Sequence, residues 1–157
     1  NGMEDIDMAV DIDTLFEMLD ERKPIEVQEE AIREARKIKS LSVFMQPIEY
    51  KLSWKNCAKV ICEKTDEELN SYKYEMLEWL QDLNWPGAFL IMERLEKMDP
   101  QLLLNVTICA VKQALLLKDN EWLIYMSYLL KNKKFYDALS EEKKYQKSSK
   151  DLHVSEM

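Results

Sequence analysis

Glycine occurs only twice in this chain of 157 residues, at Gly2 and Gly87. Tight β-hairpins need residues at positive φ, the conformation for which glycine is the default. A chain this poor in glycine cannot join many short strands through such turns, and it cannot build a glycine-rich phosphate loop. Apolar residues recur at the helical period of 3.6, while alternation at period two is nearly absent. Abundant Leu, Glu, Lys, Met and Ala fit the same conclusion. The expected fold class is all-α.

The stripes place the helices. Ile12, Leu15, Phe16 and Leu19 form the first stripe, and Pro24 ends it. Val27, Ala31, Ile32, Ala35 and Ile38 form the second. Leu41, Val43, Phe44 and Met45 make a short apolar run that stops at Pro47, and Leu52, Trp54, Ala58, Ile61 and Cys62 resume the helical spacing. Thr65 and Glu68 fit a capping box, in which each satisfies a backbone N–H of the other's residue. Leu69, Tyr72, Met76, Leu77, Leu80 and Leu83 follow. Asp82-Leu83-Asn84-Trp85-Pro86-Gly87 is a stop and restart, with Asn84 as the expected cap and Pro86 in a first turn, where its missing N–H costs nothing. Asp99-Pro100 repeats the device, and Asp119-Asn120 marks one more turn. Helices are expected near 11–21, 26–39, 53–63, 66–82, 85–97, 100–117, 120–131 and 134–147. The length suits one domain, expected over residues 3–150, with 151–157 a flexible tail.

Trp54, Trp85 and Trp122 each stand where a helix is expected to open, at spacings of 31 and 37 residues. Four positions on lie Ala58, Phe89 and Met126, and seven on lie Ile61, Met92 and Leu129. Quasi-repeats of this length, each a pair of helices, mark a short α-solenoid of HEAT-like stacked hairpins. A compact helical bundle with accidental spacing is the alternative.

The junction Glu78-Trp79-Leu80-Gln81-Asp82-Leu83-Asn84-Trp85-Pro86 resembles the hallmark of a family of bacterial domains of unknown function. That family shows Leu-x-Trp-Leu-Gln-Asp-x-Asn-Trp-Pro between two helices and a Glu-Trp helix start downstream, which Glu121-Trp122 matches. The resemblance covers residues 66–131. It implies a HEAT-like fold and a bacterial origin, and it implies no activity. It leads one to expect Val where this chain has Gly87.

The formal net charge is -8. That argues against a nucleic-acid partner and an anionic membrane surface, both of which reward Lys and Arg, and it suits a basic protein partner. The charge is uneven: residues 1–35 carry twelve acids against three bases, and residues 131–150 carry seven Lys against three acids. Such runs are either solvated faces or docking faces. No signal peptide and no uninterrupted run of 18 apolar residues is visible. Cys57, Cys62 and Cys109 are odd in number and read as reduced, mostly buried thiols in a cytoplasm.

Little in the sequence suggests chemistry. The single histidine, His153, lies near the end of the chain, away from any expected pocket. Three cysteines fall short of a four-ligand zinc site. Glu78 and Asp82 sit four apart on one helix face, but di-metal carboxylate sites pair Glu with His. Glu67, Glu68, Glu75 and Glu78 look like a solvated face. No metal, cofactor or catalytic group is expected. Tyr125, Tyr128, Phe135 and Tyr136 beside Lys131, Lys133 and Lys134 read either as a single-strand stacking surface or as the packing of a terminal repeat. The junction also has two readings: a structural turn, or part of a groove that grips a peptide. Its candidate partner-binding residues are Glu78, Trp79, Asp82, Asn84 and Trp85, with Trp122 downstream. The expected function is a non-catalytic protein-interaction module for a basic partner. The alternative is an enzyme or small-ligand binder with a carboxylate and aromatic groove.

Overall fold

The computed structural model describes residues 10–131 together with 137, 140 and 141. All secondary structure among the described residues is helical. The α-helices are α1 (Ile12–Met18), α2 (Ile25–Ala35), α3 (Trp54–Cys62), α4 (Asp66–Leu69), α5 (Lys73–Glu78), α6 (Ala88–Lys97), α7 (Pro100–Leu117) and α8 (Asn120–Leu130). Single 3₁₀ turns lie at Leu41–Phe44, Lys51–Ser53, Asn70–Tyr72 and Trp79–Gln81. The expected helix over 134–147 and the tail over 151–157 fall outside the described residues, except that Asp137, Ser140 and Glu141 are helical.

Local chemistry sets most of the boundaries. Thr65 and Glu68 form the capping box, with Thr65 Oγ1 accepting from the Glu68 amide at 3.2 Å and Glu68 Oε1 accepting from the Thr65 amide at 3.2 Å. Asp99 caps α7 by accepting from the Gln101 amide at 3.0 Å, with Pro100 at the first helical position. Asp119 caps α8 through the Trp122 amide at 3.0 Å. Lys118, in the left-handed conformation, ends α7.

The expected single helix over 66–82 is broken into α4, α5 and two 3₁₀ turns. Asn70 and Ser71 compete for backbone hydrogen bonds and are weak helix formers, and Tyr72 leaves the helical region at φ -118. The tightened turn after Glu78 brings Trp79 and Leu80, neighbours in sequence, into the core together. The expected helix from 85 starts instead at Ala88, which shifts its phase. Ala88, Ile91, Met92 and Leu95 are buried, and Phe89, expected in the stripe, is 65% exposed. Ile12 and Leu117 are likewise exposed rather than core.

The helices pack in a regular order of neighbours: α1 on α2, α2 on α3, α3 on α6, α6 on α8, α5 on α7, and α7 on α8. The Trp79–Gln81 turn touches both α6 and α8. Cys57 is buried and Cys62 half-buried, and burial pushes their thiols up to about 12 and about 11. Cys109 is exposed, against expectation. Helix α7 has no uninterrupted apolar run, yet its mean hydropathy of 1.4 over 18 residues makes it long and apolar enough, by composition, to cross a membrane. It packs against α5 and α8 here.

A buried amide fixes the first three helices. Asn56 on α3 donates to the Leu19 carbonyl at 2.7 Å and to Gln28 Oε1 on α2 at 2.9 Å. Gln28 in turn donates to the carbonyls of Glu21 and Lys23. Replacing Asn56 with Leu strands two buried acceptors, and such groups cost about 1–3 kcal/mol each. Asn56→Leu is therefore expected to lower unfolding free energy by about 2 kcal/mol or more in urea titration, and an unchanged midpoint would refute this role.

Candidate functional site

The junction is built on tryptophan and one glycine. Trp79 is fully buried, and its indole donates to the Pro86 carbonyl at 3.0 Å. Trp54 stands edge-on to Trp79 at 6.1 Å and to Trp85 at 5.8 Å between ring centroids, a favoured arrangement for aromatic quadrupoles. Gly87, not Asn84, occupies the N-cap of α6, at φ 82. A Cβ there would lie 2.6 Å from Ala58 Cβ, 2.9 Å from the Trp54 carbonyl oxygen and 3.3 Å from Trp79 Cζ2. The glycine thus supplies both the left-handed conformation and the close approach of α6 to α3. Valine, the residue expected from resemblance, does not fit this backbone.

The polar residues of the junction hold the turn itself. Asp82 Oδ1 accepts from the Asn84 amide at 2.8 Å, an Asx turn. The Asp82 carbonyl accepts from the Trp85 amide at 3.1 Å, and the Trp85 carbonyl from the Ala88 amide at 3.1 Å.

The six candidate residues separate by exposure. Trp79 and Trp122 have no exposed surface, and Trp122 donates its indole N–H to the Leu77 carbonyl at 2.8 Å. Both are occupied by packing and offer nothing to a partner at the surface. Glu78, Asp82 and Trp85 are half-buried, and Asn84 is exposed. These four remain at the surface.

The electrostatics link the junction to α8. Burial raises the Glu78 carboxyl above its ordinary value, and the Glu75 charge adds to this. Burial also raises the Tyr125 phenol, helped by the charges of Glu121 and Asp82. The Tyr74 phenol is raised by burial and then by Glu78. Glu78 with Glu75 and Tyr74 on α5 thus form one electrostatic group, and Asp82 with Glu121 and Tyr125 a second. No group of three or more His, Cys, Asp or Glu able to hold a metal occurs among the described residues.

Two features escaped the sequence. One is a polar knot: Arg94 on α6 donates to Asp66 Oδ1 at 2.6 Å and to the Lys64 carbonyl at 3.0 Å, while Asp66 Oδ2 accepts from the Asp99 amide at 3.1 Å. Burial pushes the Asp66 carboxyl up, and these hydrogen bonds more than offset it, leaving it below its ordinary value. No sequence signal pairs residues so far apart. The other is an open groove of about 400 Å³ between α7 and α8. The signal for it was the high hydropathy of α7, which exceeds what two neighbouring helices can cover.

A family model described as "Domain of unknown function (DUF5071)" matches residues 54–153. The match spans α3 to α8, including the whole junction. No curated protein and no solved structure gave a match.

Gly87→Val is expected to destabilise the fold by more than about 1 kcal/mol, because positive-φ strain and a clash with backbone add. An equal melting temperature would show that α3 and α6 part without cost. Glu78→Gln is expected to raise the melting temperature at neutral pH. A carboxyl raised by folding binds its proton more tightly in the native state, so its penalty appears as pH rises through the ordinary carboxylate range, near 4, toward the folded value. The advantage of the variant should therefore vanish below about pH 4, and a gap independent of pH would refute the cause.

Proposed function

We propose that this chain, which belongs to the DUF5071 family, is a non-catalytic protein-interaction module of the bacterial cytoplasm whose acidic junction face takes a basic partner. The observation that carries the reading is Glu78. It is a half-buried carboxylate raised by burial, with Glu75 beside it and no ion pair among the described residues. Such a group is relieved when a partner's Lys or Arg arrives, because an opposite charge favours the ionised form that burial disfavours.

The surroundings support this chemistry. The charges of Asp82 and Glu121 both act on the Tyr125 phenol. Trp85 is half-buried and its amide donates to the Asp82 carbonyl, and aromatic rings attract both the stem and the charge of Lys or Arg. The rows α3–α6–α8 and α5–α7 follow the order of stacked helical pairs, the arrangement expected of a short HEAT-like solenoid. A stack of that kind offers an extended face rather than an enclosed pocket, which suits a polypeptide partner.

The test uses the full chain and a defined Lys- and Arg-rich peptide, titrated by calorimetry at two salt concentrations. Wild type is expected to bind with an affinity that falls as salt rises, since exposed charge pairs are screened. Asp82→Asn with Glu121→Gln is expected to weaken binding several-fold while far-ultraviolet circular dichroism stays unchanged. Equal affinity of the neutralised protein would sink the reading, as would the absence of wild-type binding at low salt.

A further inference from the structure

A cavity of about 360 Å³ lies where the end of α3 and the start of α4 meet α6. Sites for small molecules begin at about 300 Å³. The lining is Cys62, Asp66, Leu90, Glu93, Arg94 and Lys97, none of them a residue of the junction. We propose that this cavity binds a free α-amino acid with an aliphatic side chain, held by Glu93 at its ammonium and by Lys97 at its carboxylate.

The charges around the cavity divide into paired and unpaired. Arg94 donates to Asp66 Oδ1 at 2.6 Å and to the Lys64 carbonyl at 3.0 Å, and its side chain is only 12% exposed. Glu63, whose charge also acts on the Cys62 thiol, is held by Arg36 at 2.8 Å. Glu93 and Lys97 are exposed, and neither makes an ion pair or a side-chain hydrogen bond among the described residues. They stand four apart on α6 with the acid first, the order that favours pairing on a helix, and still they do not pair.

One negative and one positive charge are therefore left over in the lining. A simple anion would meet the Glu93 carboxylate as well as the ammonium of Lys97, and a simple cation would meet the reverse. A ligand carrying both charges close together satisfies both. Side chains four apart on a helix start about 5–6 Å apart at Cβ, and the ammonium and carboxylate of an α-amino acid are separated by a single carbon. The long side chains of Glu93 and Lys97 can close on such a pair from either side.

The rest of the lining selects the side chain. Leu90 stands one turn before Glu93 on α6, and Cys62 faces it from α3, giving its S–H to the Leu90 carbonyl at 3.3 Å. Burial pushes that thiol up to about 11, so it stays neutral. With its proton already given to a carbonyl, Cys62 behaves as a small apolar surface beside Leu90. An aliphatic side chain has a seat there, and a polar one would lose hydrogen bonds to water.

The test titrates the isotope-labelled full chain with L-leucine and reads amide chemical shifts. Saturable shifts are expected at Cys62, Leu90 and Glu93 to Lys97. N-acetyl-L-leucine, which lacks the ammonium, and L-leucinamide, which lacks the carboxylate, should each bind at least about tenfold more weakly, and glycine several-fold more weakly. Glu93→Gln should bring L-leucine down to the affinity of N-acetyl-L-leucine, and Lys97→Gln should bring it down to that of L-leucinamide. Both positions are exposed, and unchanged amide shifts away from the cavity would verify the fold. The wild-type comparisons among the four ligands stand without either variant. Absence of saturable shifts with millimolar L-leucine would overturn the proposal. Equal affinity for N-acetyl-L-leucine would reduce the cavity to an anion site, and equal affinity for glycine would remove the side-chain seat; either result also overturns it.

Discussion

A buried indole has one N–H that must find an acceptor, and this molecule answers that demand with backbone carbonyls from other elements. Trp54 donates to Pro47, Trp79 to Pro86 and Trp122 to Leu77. Each bond ties a large side chain to a carbonyl that a helical ladder leaves free or shares. Trp79 is the central member. Its indole holds the Pro86 carbonyl just before α6, its ring meets the edge of Trp54 on α3, and the absence of a side chain at Gly87 lets α3 and α6 close over it. Were Gly87 larger, its side chain would meet Ala58 and the Trp54 carbonyl and hold α3 and α6 apart, and a smaller side chain in place of Trp79 would leave a cavity between them.

The junction's polar residues and its aromatic residues therefore do different work. Asp82 shapes the turn through the Asn84 amide, and its charge also acts on the Tyr125 phenol. Trp79 and Leu80 of the 3₁₀ turn at Trp79–Gln81 are both fully buried. Glu78, one residue earlier, is left at the edge of that inward turn, and its half-burial follows from geometry. The charge chemistry of the proposed interface is in this sense a by-product of the packing.

Much of this was legible in the residues. The all-helical class followed from the glycine count and the 3.6 period, and α7 was bounded to the residue by Asp99, Pro100 and the turn at Asp119. Those signals are local: a cap, a proline and a run of apolar positions act within one helical turn. The start of α6 was misplaced because its cause is not local. Gly87 adopts φ 82 under the close approach of Ala58 and the Trp54 carbonyl, and nothing within several residues of Gly87 announces that. The same error put Phe89 in the core. Trp79 and Trp122 were legible as important but not as buried, because tryptophan serves cores and surfaces alike. The Arg94–Asp66 knot joins residues 28 apart and leaves no periodic trace.

The composition of α7 also has a consequence in time. Its 18 residues reach a mean hydropathy of 1.4, and Leu115, Leu116 and Leu117 remain exposed even when α5 and α8 are in place. During synthesis, α5 emerges before α7, and α8 follows after a two-residue connection. At ordinary translation rates the second cover arrives within roughly a few seconds. Through that interval the nascent chain displays an apolar helix with only one flank covered. The stretch of synthesis most exposed to chaperone capture or to self-association is the stretch between residues 117 and 130.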